Sequence, residues 1–341
     1  MLKRKILNDM LEWKNNHRNT CLVIIGARQV GKTFIIREFA KNNYDKFYEF
    51  NFLENSLYNE FFHDDLSVNT LLKKMSLKIK DFDIIDGKTL IFLDEIQACP
   101  EAITALKFLA EDKRFDVIAS GSMLGIAYNR TTSFPVGYIE RIHMNSLDFE
   151  EFLWAKGINS GVIDDIKDFY CKRKTVDTFT HDTMLELFKE YIVVGGMPAV
   201  VLEYILTNNF SSVLKVQRRI LDDYRDDIVK YAPNNDKTKI RACFDSLPAQ
   251  LSKDNKKFQY KLVEKNSNHE KYGSSLEWLY DAGIINFCYN LTIPEAPLEG
   301  NKIKDCFKVY MNDTGLLVAM LDEGTNDEIM SGNLGIYKGA I

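Results

Sequence analysis

The stretch Cys21-Leu22-Val23-Ile24-Ile25-Gly26-Ala27-Arg28-Gln29-Val30-Gly31-Lys32-Thr33 decides how the chain reads. Cys21–Ile25 is a short, continuous apolar run rich in β-branched residues, which suits a strand buried on both faces of a parallel sheet. The next eight residues fit the pattern G-x-x-x-x-G-K-[ST]. Its glycines let backbone N–H groups curl around phosphates. The helix that follows, marked by Phe34, Ile35, Ile36, Phe39 and Ala40, presents its positive N-terminus to them. Lys32 is placed to reach the β/γ-phosphates, and the Thr33 hydroxyl to ligate Mg²⁺. The expected nucleotide-binding set is Gly26, Ala27, Arg28, Gln29, Val30, Gly31, Lys32, Thr33 and Phe34. Two readings of Arg28 are open: contact with the nucleotide or shielding of the site.

Working outward, Leu90-Ile91-Phe92-Leu93-Asp94-Glu95 is a second buried strand ending in two acids. In an open α/β sheet such acids stand at the carboxyl edge, where ligands bind. Asp94 is expected to hold Mg²⁺ through water, and Glu95 to polarise an attacking water. A kinase acting on a small acceptor needs no water-activating acid there, whereas a hydrolase does. The NKxD pattern of many GTPases and an LSGGQ-like signature are both missing, which favours ATP. A third strand ends at Ser120-Gly121-Ser122, read either as a polar sensor of the γ-phosphate beside Glu95 or as a small-residue turn. Arg130 and Arg141 follow, each a surface charge or a donor of positive charge to the phosphoryl group, in cis or toward a neighbouring subunit.

Lys46–Phe52 and Asp116–Ala119 add strands, with helices expected over 3–16, Leu57–Met75 and Ala102–Leu109. This alternation predicts βαβ units and a parallel sheet with helices on both faces. Beyond residue 155 the pattern turns helical through 230, broken at Gly195-Gly196-Met197-Pro198. Pro233-Asn234-Asn235-Asp236 reads as a linker. Residues 238–292 read as two or three helices and a short strand pair. Within them, Lys271–Ile285 runs as a helix, a glycine stop and a strand, the core of a winged helix. From Lys237 to Asn290, nine basic and six acidic residues give +3, against −8 for the remainder. That excess fits DNA contact or a winged helix used only for protein contacts.

The 341 residues suggest two or three domains, with 45% hydrophobic and 27% charged residues as in globular proteins. A net charge of −5 (44 basic, 49 acidic) argues against a histone-like mode of binding nucleic acid. The six cysteines form no CxxC pair and the five histidines show no metal-ligand spacing. With no apolar signal core and no run near the ~20 residues a membrane span needs, the expectation is a cytoplasmic protein without membrane contact.

The ordered set of motifs resembles a large prokaryotic family of AAA-type ATPases with a C-terminal, nuclease-like domain of unknown function. It comprises Gly26–Thr33, Leu93-Asp94-Glu95-Ile96-Gln97, Ser120-Gly121-Ser122, Ser133-Phe134-Pro135-Val136-Gly137, Leu147–Leu153, Gly195-Gly196-Met197-Pro198, Trp278–Ile285 and Tyr310–Leu317. The resemblance implies an α/β P-loop NTPase sheet flanked by helices, then a helical lid and a winged-helix domain. Boundaries are expected at 1–155 for the ATPase domain, 156–232 for the lid, 233–300 for the winged-helix-like domain and 301–341 for the start of a further domain. It also implies Lys32 and Thr33 as ligands of nucleotide and Mg²⁺, and Asp94 and Glu95 as the hydrolytic acid pair. Many relatives carry Gly-Arg after the Pro-Val segment; here Tyr138 follows Gly137, which leaves Arg141 or Arg130 for that role. The final residues, Asn333–Ile341, do not read as a natural ending, so truncation is expected and no nuclease activity is.

The function expected is Mg²⁺-dependent ATP binding and hydrolysis coupled to movement of a winged-helix module. Its catalytic residues would be Glu95, Lys32, Ser120 and Arg141, and its metal ligands Thr33 and Asp94. Nucleotide, DNA through 238–292 and a second copy of the chain are the expected partners. The alternatives are a nucleotide-gated DNA- or protein-binding switch with negligible turnover, and phosphoryl transfer to a small acceptor.

Overall fold

The computed structural model describes residues 2–16, 19–122, 135–253, 256–321 and 324–332. The chain divides into two compact units, Arg4–Asn145 and Met1–Lys3 with Ser146–Ile341.

In the first unit, α1 (Ile6–Asn16), β1 (Cys21–Gly26), α2 (Lys32–Asn43), β2 (Lys46–Asn51), α3 (Val68–Lys78), β3 (Thr89–Asp94), α4 (Pro100–Glu111), β4 (Asp116–Ser122) and β5 (Ile139–His143) follow in order. The strands form one parallel sheet in the order β2-β3-β4-β1-β5. Period-2 alternation divides the core. Leu22, Ile24, Leu90, Phe92 and Ile118 pack with residues of α1 and α2, while Val23, Ile25, Ile91, Leu93 and Val117 pack with residues of α3 and α4. Each such fully buried side chain stabilises the fold by about 1.5–3 kcal/mol. With β4 between β1 and β3, the carboxyl ends of these three strands stand side by side. Gly26, Ser122 and Asp94 are thereby gathered at one edge.

Two elements differ from expectation. Leu57–Met75 is not one helix: a 3₁₀ turn (Ser56–Phe62) ends before α3 begins. In the gap, Asp64 adopts φ 66° and the Asp65 carboxylate accepts from the Ser67 N–H and from the Ser67 and Thr70 hydroxyls. These side chains compete with helical backbone pairing. The strand β5 has no clear signal, because it lies at the sheet edge and exposes Glu140, Arg141 and His143.

The second unit is helical and then mixed. It contains α5 (Phe149–Ala155), α6 (Ser160–Cys171), α7 (Thr178–Val194), α8 (Pro198–Thr207), α9 (Phe210–Tyr231), α10 (Lys237–Asp245), α11 (Leu247–Leu251), α12 (His269–Asp281), the antiparallel pair β6 (Ile285–Leu291) and β7 (Lys302–Met311), α13 (Thr314–Ala319) and α14 (Thr325–Met330). The helix, glycine stop and strand expected from Lys271 onward are there, with Gly283 at φ 72°. The helical run breaks at Gly195–Met197, as expected.

That break is a close backbone crossing. A Cβ on Gly196 would lie 2.0 Å from the Leu147 carbonyl oxygen, and one on Gly315 2.3 Å from that of Val194. Asp313 is buried in the crossing and caps α13. Its carboxylate accepts from the Gly196 N–H at 2.8 Å and the Leu316 N–H at 3.0 Å. Burial pushes its carboxyl pKa up, opposed by these N–H groups and by the Ser146 hydroxyl. Among the described residues no helix is long and apolar enough to cross a membrane. Arg130, Ser133, Phe134 and Asn333–Ile341 lie outside the described residues.

Candidate nucleotide-binding site

The site begins where β1 ends. A Cβ on Gly26 would stand 2.1 Å from the Met144 carbonyl oxygen, so only glycine fits. The loop then turns through two left-handed residues, Gln29 at φ 65° and Gly31 at φ 95°. For Gln29 this conformation costs about 1–2 kcal/mol. Between them, the Val30 side chain is buried in the core that contains Ile6, Met10 and Met144. Gly31 is the N-cap of α2 and offers no side-chain cap, and the first turn holds no acid. The first N–H groups of a helix lack intrahelical partners, so this end is chemically disposed toward an anion.

Lys32 is buried, and its ammonium donates to the Gly26 carbonyl at 2.9 Å and the Ala27 carbonyl at 2.8 Å. Burial lowers its pKa to about 8, against the opposing charges of Glu95 and Asp94. One residue on, the Thr33 hydroxyl donates to Asp94 Oδ2 at 3.0 Å. Phe34 follows on the first turn of α2 and is 57% exposed.

Asp94 gathers several bonds at this edge. Its Oδ2 also accepts from Asn51 Nδ2 at 3.0 Å, and its Oδ1 from the Glu95 N–H at 3.1 Å and from the Ser120 hydroxyl. Burial pushes the Asp94 carboxyl pKa up, and the Ser120 and Thr33 hydroxyls pull it back. Glu95 leaves β3 in the left-handed region, at φ 55°, and its carboxylate accepts from Gln97 Nε2. Gln97 Nε2 also lies 3.5 Å from the Ser122 hydroxyl.

The structure therefore brings together Lys32, Thr33, Asp94, Glu95 and Ser120. Ser120 is bonded to Asp94, while Ser122 is linked through Gln97 to Glu95. Arg28 is half-buried in the loop. Arg141 is exposed on β5, opposite Val23 and three residues short of the Gly26 level. Sequence reasoning assigned no role to Asn51, Gln97 or Arg4. Asn51 ends the strand paired with β3, directly opposite Asp94, a register that only the folded sheet reveals. Among the described residues no group of three or more His, Cys, Asp or Glu could hold a metal ion. A hydroxyl and carboxylate pair such as Thr33 and Asp94 suits Mg²⁺, which keeps waters and shares phosphate oxygens.

A parallel sheet with β4 inserted between the glycine-loop strand and the acid-ending strand, carrying a Gly-Lys-Thr loop, defines a P-loop NTPase fold. Residues 18–153 match the family model of a AAA domain. Residues 185–327 match a domain of unknown function (DUF8612). Among solved structures, the Walker-type ATPase of Pyrococcus abyssi aligns at 14% identity and a TM-score of 0.52, covering 94% of this chain and 96% of that one. It shares the fold. The Aeropyrum pernix ORC1 protein in complex with DNA aligns at 12% identity and a TM-score of 0.33, covering 97% and 91%. The Thermotoga maritima RuvB Holliday junction branch migration motor aligns at 12% and 0.35, covering 84% and 89%. No curated protein matches the sequence.

Proposed function

We propose that the chain binds ATP with Mg²⁺ and hydrolyses it, and that nucleotide state moves the second unit. The observation that carries this reading is the gathering of Lys32, Thr33, Asp94 and Glu95 at one sheet edge beside the uncapped N-terminus of α2. Gly26–Thr33 would hold the phosphates, and Phe34 would offer an exposed ring to the base or ribose. Mg²⁺, when bound near Thr33 and Asp94, would neutralise phosphate charge. Asn51 and Ser120 orient Asp94. Glu95 takes a proton from water, and Lys32 supports the charge that develops. Multiple-turnover phosphate release from pure protein tests the reading; release limited to one equivalent would sink it.

That single-turnover outcome would favour a nucleotide-gated switch, for which the Gln97–Glu95 contact speaks, since it engages the base. Arg141 is exposed on an edge strand, which fits a role toward a neighbouring copy. Mixing Arg141→Ala and Glu95→Gln chains should then restore turnover that neither shows alone.

What supports a winged-helix reading of the segment from 233 is the run α10, α11, α12, β6 and β7, whose last strand lies beyond the expected boundary at 300, with the Phe258 N–H donating to the Phe307 carbonyl at 2.9 Å. The exposed face of α12, however, carries Glu270 and Glu277, and its Lys271 is paired with Glu264. DNA contact through 238–292 would need cations elsewhere in the segment. A mobility shift that weakens with salt tests it.

A further inference from the structure

A buried arginine outside every motif grips the phosphate loop. Arg4 stands just before α1 and is 7% exposed. Its Nη1 donates to the Val30 carbonyl at 3.1 Å, and its Nη2 donates to the Asn145 carbonyl. Val30 is the apex of the loop, flanked by the left-handed residues Gln29 and Gly31. Asn145 follows Met144, whose carbonyl closes on Gly26 at the loop's base and whose N–H donates to the Ile25 carbonyl at 2.8 Å. One guanidinium therefore spans the two ends of the loop's frame. Its planar fork can serve two carbonyls at once, which a lysine ammonium on a flexible stem does less well. Ile6, two residues along, shares a buried cluster with Val30 and Met144.

We propose that Arg4 is the positioning residue of the phosphate loop, holding its strained turn in the binding-competent shape before nucleotide arrives. This rests on the nucleotide-binding reading above. Arg4 touches no reacting atom. A loop shaped in advance lowers the ordering cost of binding, so loss of the clamp is felt in affinity, while the chemical step, once nucleotide is seated, is kept.

The test uses the full chain with Mg²⁺ and a fluorescent ATP analogue, comparing wild type, Arg4→Met and Arg4→Lys. Arg4→Met keeps the apolar stem. It should raise Kd about tenfold and leave kcat within about twofold, and Arg4→Lys should raise Kd about threefold by keeping one of the two bonds. A merely structural arginine would behave differently. Its loss would lower the binding-competent fraction and the melting temperature, while the competent molecules kept the wild-type Kd. That outcome overturns the proposal, as does an unchanged Kd in both variants. Should Arg4→Met not fold, the Kd of Arg4→Lys decides alone. A wild-type chain that binds no analogue overturns the nucleotide reading and this proposal together, whereas tight wild-type binding with unaltered variants removes only the role of Arg4.

Discussion

Two places in the molecule bring backbones together through glycines, and they are electrostatic opposites. At the phosphate loop Gly26 rests on the Met144 carbonyl, Gly31 leaves α2 without a side-chain cap, and Lys32 is the charge inside. At the second crossing Gly196 rests on the Leu147 carbonyl, but there the chain supplies its own anion. Asp313 caps α13 and accepts from the Gly196 N–H. The loop leaves a helix N-terminus without a side-chain cap, whereas the crossing brings its N–H groups onto the Asp313 carboxyl. Tight glycine packing is thus no sign of a ligand by itself. What distinguishes a site is whether the positive ends it creates are already satisfied by a carboxylate of the chain.

The comparison can be broken or sharpened by experiment. The largest expected effect is at Glu95, since a general base contributes about 10²–10⁴-fold. Glu95→Gln should lower steady-state phosphate release about a thousandfold and leave ATP affinity near the wild-type value. Unchanged turnover would remove Glu95 from the reaction. Lys32→Ala should weaken ATP binding about a hundredfold by calorimetric titration, because it deletes the buried cation of the loop; intact affinity would make the loop an ordinary turn.

At the crossing, Asp313→Ala should cost about 3 kcal/mol in denaturant unfolding, since it strands buried N–H groups. The folded molecules should keep wild-type ATP affinity. A large affinity loss would mean that the crossing also shapes the loop. The smallest effect is with pH. Burial penalises the Lys32 charge and lowers its pKa from the ordinary lysine value to about 8. Phosphate favours the charged form, so affinity is full below pH 8 and falls as pH rises above it. The Kd at pH 9 should be about tenfold weaker than at pH 7. A flat profile would argue against Lys32 as the phosphate ligand.

Much of the site was legible because its parts are local. A buried strand, a glycine loop and a helix are consecutive, and Asp94 and Glu95 are adjacent, so period and composition locate them. Asn51, Gln97 and Arg4 escaped for different reasons. Arg4 meets its second partner 141 residues away, a separation across which no periodicity operates. Gln97 follows Glu95 closely, yet only the left-handed turn at Glu95 lets the two side chains meet. Ser120 was noticed, but its bond to Asp94 depends on β4 lying between β1 and β3. That strand order is a property of the folded sheet. The edge strand β5 was missed because it alternates weakly and faces solvent with charged side chains.

The sequence by itself determined that this chain has a P-loop NTPase fold, that the Gly26–Thr33 loop joins a buried strand to a helix, and where the helical region breaks. These follow from local chemistry: β-branched runs form buried strands, and Gly-Lys-Thr before an apolar-periodic helix makes an anion seat. The tertiary structure decided which polar groups answer one another. It set Thr33, Asn51 and Ser120 on Asp94, Gln97 on Glu95, Asp313 on Gly196, and Arg4 on Val30 and Asn145. Buried polar groups must find partners, and those partners come from distant strands that only folding brings within hydrogen-bond reach.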